Sequence, residues 1–247
     1  MEAVPDPSPL PNRLDVTVDN VVTWIMRHWL LLLLVYLGLW NLLPWLAPVF
    51  MKMGWETPAR GIYFLYSFFC HQLPQRSWFL FGESFTYPKD EILLALNGNT
   101  DPVVPSAMRV FIGTPEMGWK VAWSDRMVSF YSGWVVVGFV YALVRRRWAG
   151  LSWKWALLLL LPLALDGGTH LLSDLGNIRE GFRESNVWLA VLTNHYFPPE
   201  FYAGDQWGSF NSIARLITGA LGAVGLMGLV LPFLDRTISR EIDDAAK

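Results

Sequence analysis

The chain has 247 residues, 53% of them hydrophobic and 16% charged, with a formal net charge of −2. A soluble domain carries about 25% charged residues, so this composition belongs to a polytopic membrane protein and excludes a disordered or fibrous one. Nineteen basic against 21 acidic residues leave no basic surface for phosphate backbones, which excludes nucleic acid, and a single cysteine, Cys70, excludes an internal disulfide or a Cys-only zinc site.

Residues 1–27 read as a tail and a surface element. Pro5, Pro7, Pro9 and Pro11 predict an extended stretch. Leu14, Val18, Val21, Val22, Ile25 and Met26 then recur at helical spacing, predicting an amphipathic interfacial helix over 13–27. Residues 28–234 form one helical membrane domain. A spanning helix needs roughly 20 mostly apolar residues. The segments 28–51, 127–144, 148–165 and 216–234 meet that requirement, with Pro44 predicted to kink the far end of the first. The fold class is therefore all-α, a polytopic helical membrane protein with four transmembrane helices. Between the first two spans, 61–81 carries an apolar run broken by Cys70, His71, Gln72, Pro74 and Arg76. That run is too short to span and predicts a re-entrant or interfacial helix. Gly219, Gly222, Gly225 and Gly228 give the fourth span a small face for close helix packing. Residues 235–247 read as a charged cytoplasmic tail.

Arg145, Arg146, Arg147 and Lys154 crowd the connection between the second and third spans, so that connection is expected in the cytoplasm. Both termini then lie inside, and 51–126 and 166–215 become long extracytoplasmic loops. The expected location is a prokaryotic cytoplasmic (inner) membrane.

In this topology the unusual polar residues gather on one side: Cys70, His71, Gln72, Arg76, Arg126, Asp166, Arg183, Glu184, Asn186 and Arg215. Polar groups at a membrane boundary must be paired or wet, so their clustering marks a candidate site. Asp166, His170 and Asp174 are spaced i, i+4, i+8 and on a continuous helix would offer a divalent metal two carboxylates and an imidazole. Gly167 and Gly168 weaken that helix, and the competing expectation has Asp166 capping a new one. His71, Asp166 and His170 are the catalytic candidates. Cys70 is a small buried filler, His195 an aromatic-loop histidine and His28 an interfacial one. Arg126, Arg183 and Arg215 either pair with Asp125, Glu184 or Asp166 or form a bidentate cradle for a carboxylate or phosphate. Residues 186–194 and 211–219 faintly echo one another, and 191–210 looks like inserted material. No haem or iron–sulfur motif is present.

The stretches 69–77 (FCHQLPQRS), Arg126 with 131–133 (YSG), Asp166-Gly167, 183–186 (RESN) and 215–219 (RLITG) occur in that order. Together they resemble the prokaryotic predicted-membrane-protein family known as domain of unknown function 2085, over about residues 61–230. The resemblance implies a small helical membrane protein and no established reaction. That family has a Cys-x-Arg-Cys run where this chain has Ser124 and Met127, so the thiolate site it implies cannot be assembled here. Three functions follow. The first is a membrane scaffold or accessory subunit docking onto protein partners through aromatic extracytoplasmic loops. The second is a metal-dependent enzyme acting on a lipid-linked or periplasmic substrate. The third is a transporter or lipid-binding protein using the arginines. Membrane lipid is a partner in all three, and whether the chain is an enzyme stays open.

Overall fold

The computed structural model describes residues 13–101, 103–176 and 181–245. The proline-rich stretch at 1–12 lies outside the described residues. Among the described residues four helices are long and apolar enough to cross a membrane: α1 (Arg13–Lys52), α5 (Asp125–Val144), α6 (Trp153–Gly176) and α10 (Phe210–Ala245). The chain is a polytopic helical membrane protein. Leu31, Val35 and Leu39 of α1, Val136 and Phe139 of α5, and Leu158 and Leu161 of α6 all face outward. In a bilayer that apolar surface meets lipid tails and has no reason to be buried.

Contacts along the helices fix their directions. Asn41 of α1 donates to the Tyr131 carbonyl of α5, and Leu34 lies against Gly138, so α1 and α5 are antiparallel. Gly133 meets Ala223, so α5 and α10 run the same way, while Gly222 meets Leu163 and Gly228 meets Leu151, so α6 runs against α10. The predicted glycine face thus packs as expected. A Cβ at Gly219 would lie 2.7 Å from the Arg126 carbonyl, and one at Gly225 would lie 2.9 Å from the Ala156 carbonyl. Only a glycine lets these backbones approach so closely.

Several boundaries differ from the sequence expectation. The stretch 13–27 is continuous with the first span, and 235–245 continues the fourth as helix. The third span starts at Trp153 and runs unbroken through Gly167 and Gly168 to Gly176, so Asp166 caps no new helix. Lipid-facing leucines and the packing against α10 outweigh the roughly 1 kcal/mol that each glycine costs a helix. The expected helix over 61–81 is instead α2 (Glu56–Tyr66), followed by a single 3-10 turn at Pro74–Arg76 and a strand. Proline at 74 cannot donate within a continuing helix, and Gln72 takes a positive φ of 51°.

One end of the bundle carries a small domain-like cap. It holds α2, α3 (Lys89–Asn97), α4 (Pro105–Val110) and a sheet of β1 (Ser77–Leu80), β2 (Gly113–Thr114) and β3 (Gly118–Ser124). The strand order is β1-β3-β2, antiparallel throughout. Trp123 of β3 is wholly buried and stacks on Tyr131 of α5 with ring centres 4.6 Å apart. Tyr66 meets the same indole edge-on at 4.6 Å and donates its hydroxyl to the Trp40 carbonyl at 2.7 Å. This aromatic box clamps the sheet to α1 and α5. Strand β3 passes directly into α5, so the box also sets the position of Asp125 and Arg126.

Candidate functional site

At the sheet end of the bundle, four arginines and four aspartates interlock. The site draws on several elements that reach this end. Arg76 comes from the 3-10 turn, Asp125 and Arg126 from the first turn of α5, and Asp166, His170 and Asp174 from one face of α6. Arg183 lies in α7 (Phe182–Ser185) and Arg215 in the second turn of α10. Asp205 lies in the loop between α9 (Pro199–Tyr202) and α10.

Two chains of ion pairs result. In the first, Asp174 accepts two bonds from Arg76, at 2.8 and 2.9 Å, and Arg76 Nε reaches Asp205 at 2.7 Å. Asp205 in turn accepts from Arg215 at 2.5 Å, and Arg215 forks onto both oxygens of Asp125 at 2.7 and 2.8 Å. In the second, Asp166 takes Arg126 on one oxygen and Arg183 on the other, each at 2.6 Å, and also accepts from Thr218. Burial by itself would raise the Asp205 carboxyl, but Arg76 and Arg215 hold it well below the usual carboxylate range. Burial pulls the Arg76 guanidinium down, and the Asp205 and Asp174 carboxylates more than restore it. For Arg183 burial wins over Asp166 and its pKa is lowered.

His170 can be read by donor logic. Its Nε2 lies 3.1 Å from an Arg183 nitrogen, and a guanidinium only donates. Nε2 therefore accepts, and the ring proton sits on Nδ1, which is buried without a partner, as are Arg126 Nε and Arg183 Nε. Buried donors without acceptors are uncommon and call for an explanation.

The ion-pair network borders a cavity of about 470 Å³. Its wall includes Arg76, Arg126, Arg215 and His170, whereas Phe69, Leu171 and Leu175, all largely exposed, rim the mouth. His71 is exposed and also lines it. Cys70 is buried, its sulfur 3.4 Å from the Ser124 hydroxyl. It fills space as expected. Cys70, Ser124 and Met127 share this cavity wall.

The metal expectation does not survive this geometry. Asp166, His170 and Asp174 do share a helical face, but both oxygens of Asp166 and both of Asp174 already accept from guanidiniums. A divalent cation there would meet three arginines, and among the described residues no group of three His, Cys, Asp or Glu side chains converges to hold one. The paired reading of the arginines holds instead, with one change of partner. Glu184 lies 3.6 Å from Lys89, tying α7 to α3. Burial lowers the Lys89 pKa and raises that of Glu184.

Asn186, in a left-handed conformation between α7 and α8 (Val187–Leu192), donates to the Arg183 and Tyr202 carbonyls, and Asn211 donates to those of Arg183 and Gly204. These bonds fasten the 182–209 segment onto α10. The echo between 186–194 and 211–219 is no structural repeat, because one lies at a helix junction and the other in the first turns of a long helix. Asp205, within the supposed insertion, is the residue that sequence reasoning missed. Charge counting gave no signal for it, because Asp125, Asp166, Asp174 and Glu184 already matched the four arginines one for one.

Beside Cys70 sits a further buried charge. Lys120 donates to the Gln72 and Arg109 carbonyls at 2.7 and 2.8 Å, and burial pushes its pKa down to about 7. An unfolded lysine titrates near 10.4, so between about pH 7 and 10 the unfolded chain binds the extra proton and stability rises with pH. Thermal unfolding of the wild type and Lys120→Met over pH 6.5–9.5 should show a rise in the wild type that the variant lacks. Parallel curves would mean that Lys120 stays charged in the fold.

No family model matches the chain, and neither does a solved structure. Over 166 residues it is 26% identical to an uncharacterised protein of Methanocaldococcus jannaschii, a stretch covering 64% of this chain and 81% of that one.

Proposed function

We propose that the chain binds an amphiphilic anion, a molecule with a phosphate or carboxylate head and an apolar body, at the sheet end of its membrane bundle. One observation carries this reading: a cavity rimmed by exposed apolar side chains whose wall is lined by Arg76, Arg126, Arg215 and His170. The guanidiniums in the wall offer charged donors to an anionic head, and Phe69, Leu171 and Leu175 shelter the apolar part. The lipid-binding reading therefore moves ahead of the scaffold and the metal enzyme. The scaffold stays second, favoured by the exposed Phe182, Trp188 and Tyr196 on the segment that covers this end. A cytoplasmic-membrane location with the arginine-rich turn inside belongs to the same proposal. So does kinship with the domain of unknown function 2085, supported by Cys70, Ser124 and Met127 sharing one wall.

The test is a thermal-unfolding titration of detergent-solubilised protein with dodecyl phosphate, using dodecanol as the tail-matched neutral control. Dodecyl phosphate should stabilise the protein and dodecanol should not. Arg126→Gln should weaken the effect at least about tenfold, since a charged hydrogen bond is worth about 1.5–3 kcal/mol. Leu171→Trp narrows the mouth without touching an ion pair and should weaken it too. Equal stabilisation by both compounds, or a full response in both variants, overturns the proposal.

A further inference from the structure

The opposite end of the bundle has a different electrostatic character. There the turn after α5 folds back onto α10: the Leu151 N–H donates to the Gly228 carbonyl at 2.9 Å, and Gly150, at a φ of +90°, packs against Pro232 with no room for a Cβ. The turn is thereby held rigidly against the helix. It carries Arg145, Arg146 and Arg147, and across from them stands Arg236 of α10, itself anchored on the Ala149 carbonyl at 3.0 Å. These four arginines surround a concavity of about 320 Å³, with Trp148 in its wall.

At the sheet end every arginine of the network has a carboxylate. Here, among the described residues, none of the four arginines has one. Among the described residues Asp235 is the single acid in the wall; it accepts from the Tyr141 hydroxyl at 3.0 Å and forms no ion pair with them. Four guanidiniums against one carboxylate leave the concavity strongly cationic. It lies where two apolar helices end, the level at which lipid headgroups would sit, with an indole beside it. A purely structural role explains part of this, because basic residues after a helix C-terminus complement its dipole. It does not explain Arg236, which sits inside α10, nor why the turn is fixed so that all four converge.

We propose that this concavity binds the phosphodiester of an anionic membrane lipid. Guanidinium forks match phosphate oxygens two at a time, and basic pockets between membrane helices are suited to such headgroups. The site is separate from the cavity at the sheet end and does not rest on it.

The experiment compares purified protein in nanodiscs of phosphatidylcholine alone with nanodiscs containing one part in five phosphatidylglycerol, and uses native mass spectrometry after gentle release to read the lipid that stays bound. Phosphatidylglycerol should be retained in preference to phosphatidylcholine. Because the turn arginines also direct insertion, the deciding variant is Arg236→Gln, which leaves them in place and should reduce the preference about tenfold. Arg146→Lys, which keeps the charge but loses the fork, should reduce it less. Equal retention of both lipids, or an unchanged preference in Arg236→Gln, overturns the proposal. So does loss of the preference on adding millimolar inorganic phosphate at constant ionic strength, because that would assign the site to a free anion.

Discussion

Arg215→Met should destabilise the folded protein by about 3–5 kcal/mol, the cost of removing one partner from a buried ion network. The side chain is almost wholly buried and is shared by two carboxylates, Asp125 at the head of α5 and Asp205 in the loop before α10. Without it, among the described residues, Asp125 keeps only the Arg126 backbone N–H, and Asp205 keeps only Arg76. Chemical denaturation in mild detergent, followed by tryptophan fluorescence, measures the loss. Adding Asp125→Asn to the variant should restore part of it, since removing both members of a buried pair costs less than orphaning one. Arg215→Lys should fall between, because an ammonium cannot fork onto Asp125 while reaching Asp205. A loss below about 1 kcal/mol would mean that water reaches these carboxylates freely.

Trp123→Ala should cost a similar amount, about 3–5 kcal/mol, for a different reason. The indole is completely buried between Tyr66 and Tyr131, within 6.1 Å of the Trp40 ring, and its removal opens a hole where the sheet meets the bundle. Its Nε1 makes no hydrogen bond. Trp123→Phe should therefore recover most of the stability, which it would not do if the indole N–H mattered. The same denaturation assay distinguishes the two, and limited proteolysis within 56–124 should accelerate in the alanine variant alone. A loss as large in the phenylalanine variant would point to an unrecognised polar role for Trp123.

The sequence alone determined the number and rough location of the membrane helices. Apolar runs of spanning length, such as 28–51 and 127–144, are local properties: the bilayer forces each to satisfy its own backbone, so nothing distant can override them. The same holds for the glycine face of α10, because spacing along one helix is visible in one helix. Most of the polar cluster was legible too, since a charge at a membrane boundary stands out from its neighbours.

What only the tertiary structure decided is which charges meet. Asp166, His170 and Asp174 have the spacing of a metal site, yet Arg76, Arg126 and Arg183 arrive from three other elements and take the carboxylates first. Asp205 looks like one polar residue in an inserted loop until α10 turns Arg215 towards it. Strand β3 was hidden for the same reason: short strands owe their existence to partners across the sheet, and Gly118–Ser124 pairs with Ser77–Leu80, some forty residues earlier. Helices that cross a membrane are settled within themselves, whereas ion pairs and ladder bonds are settled between segments, and the candidate site of this protein is built from the second kind.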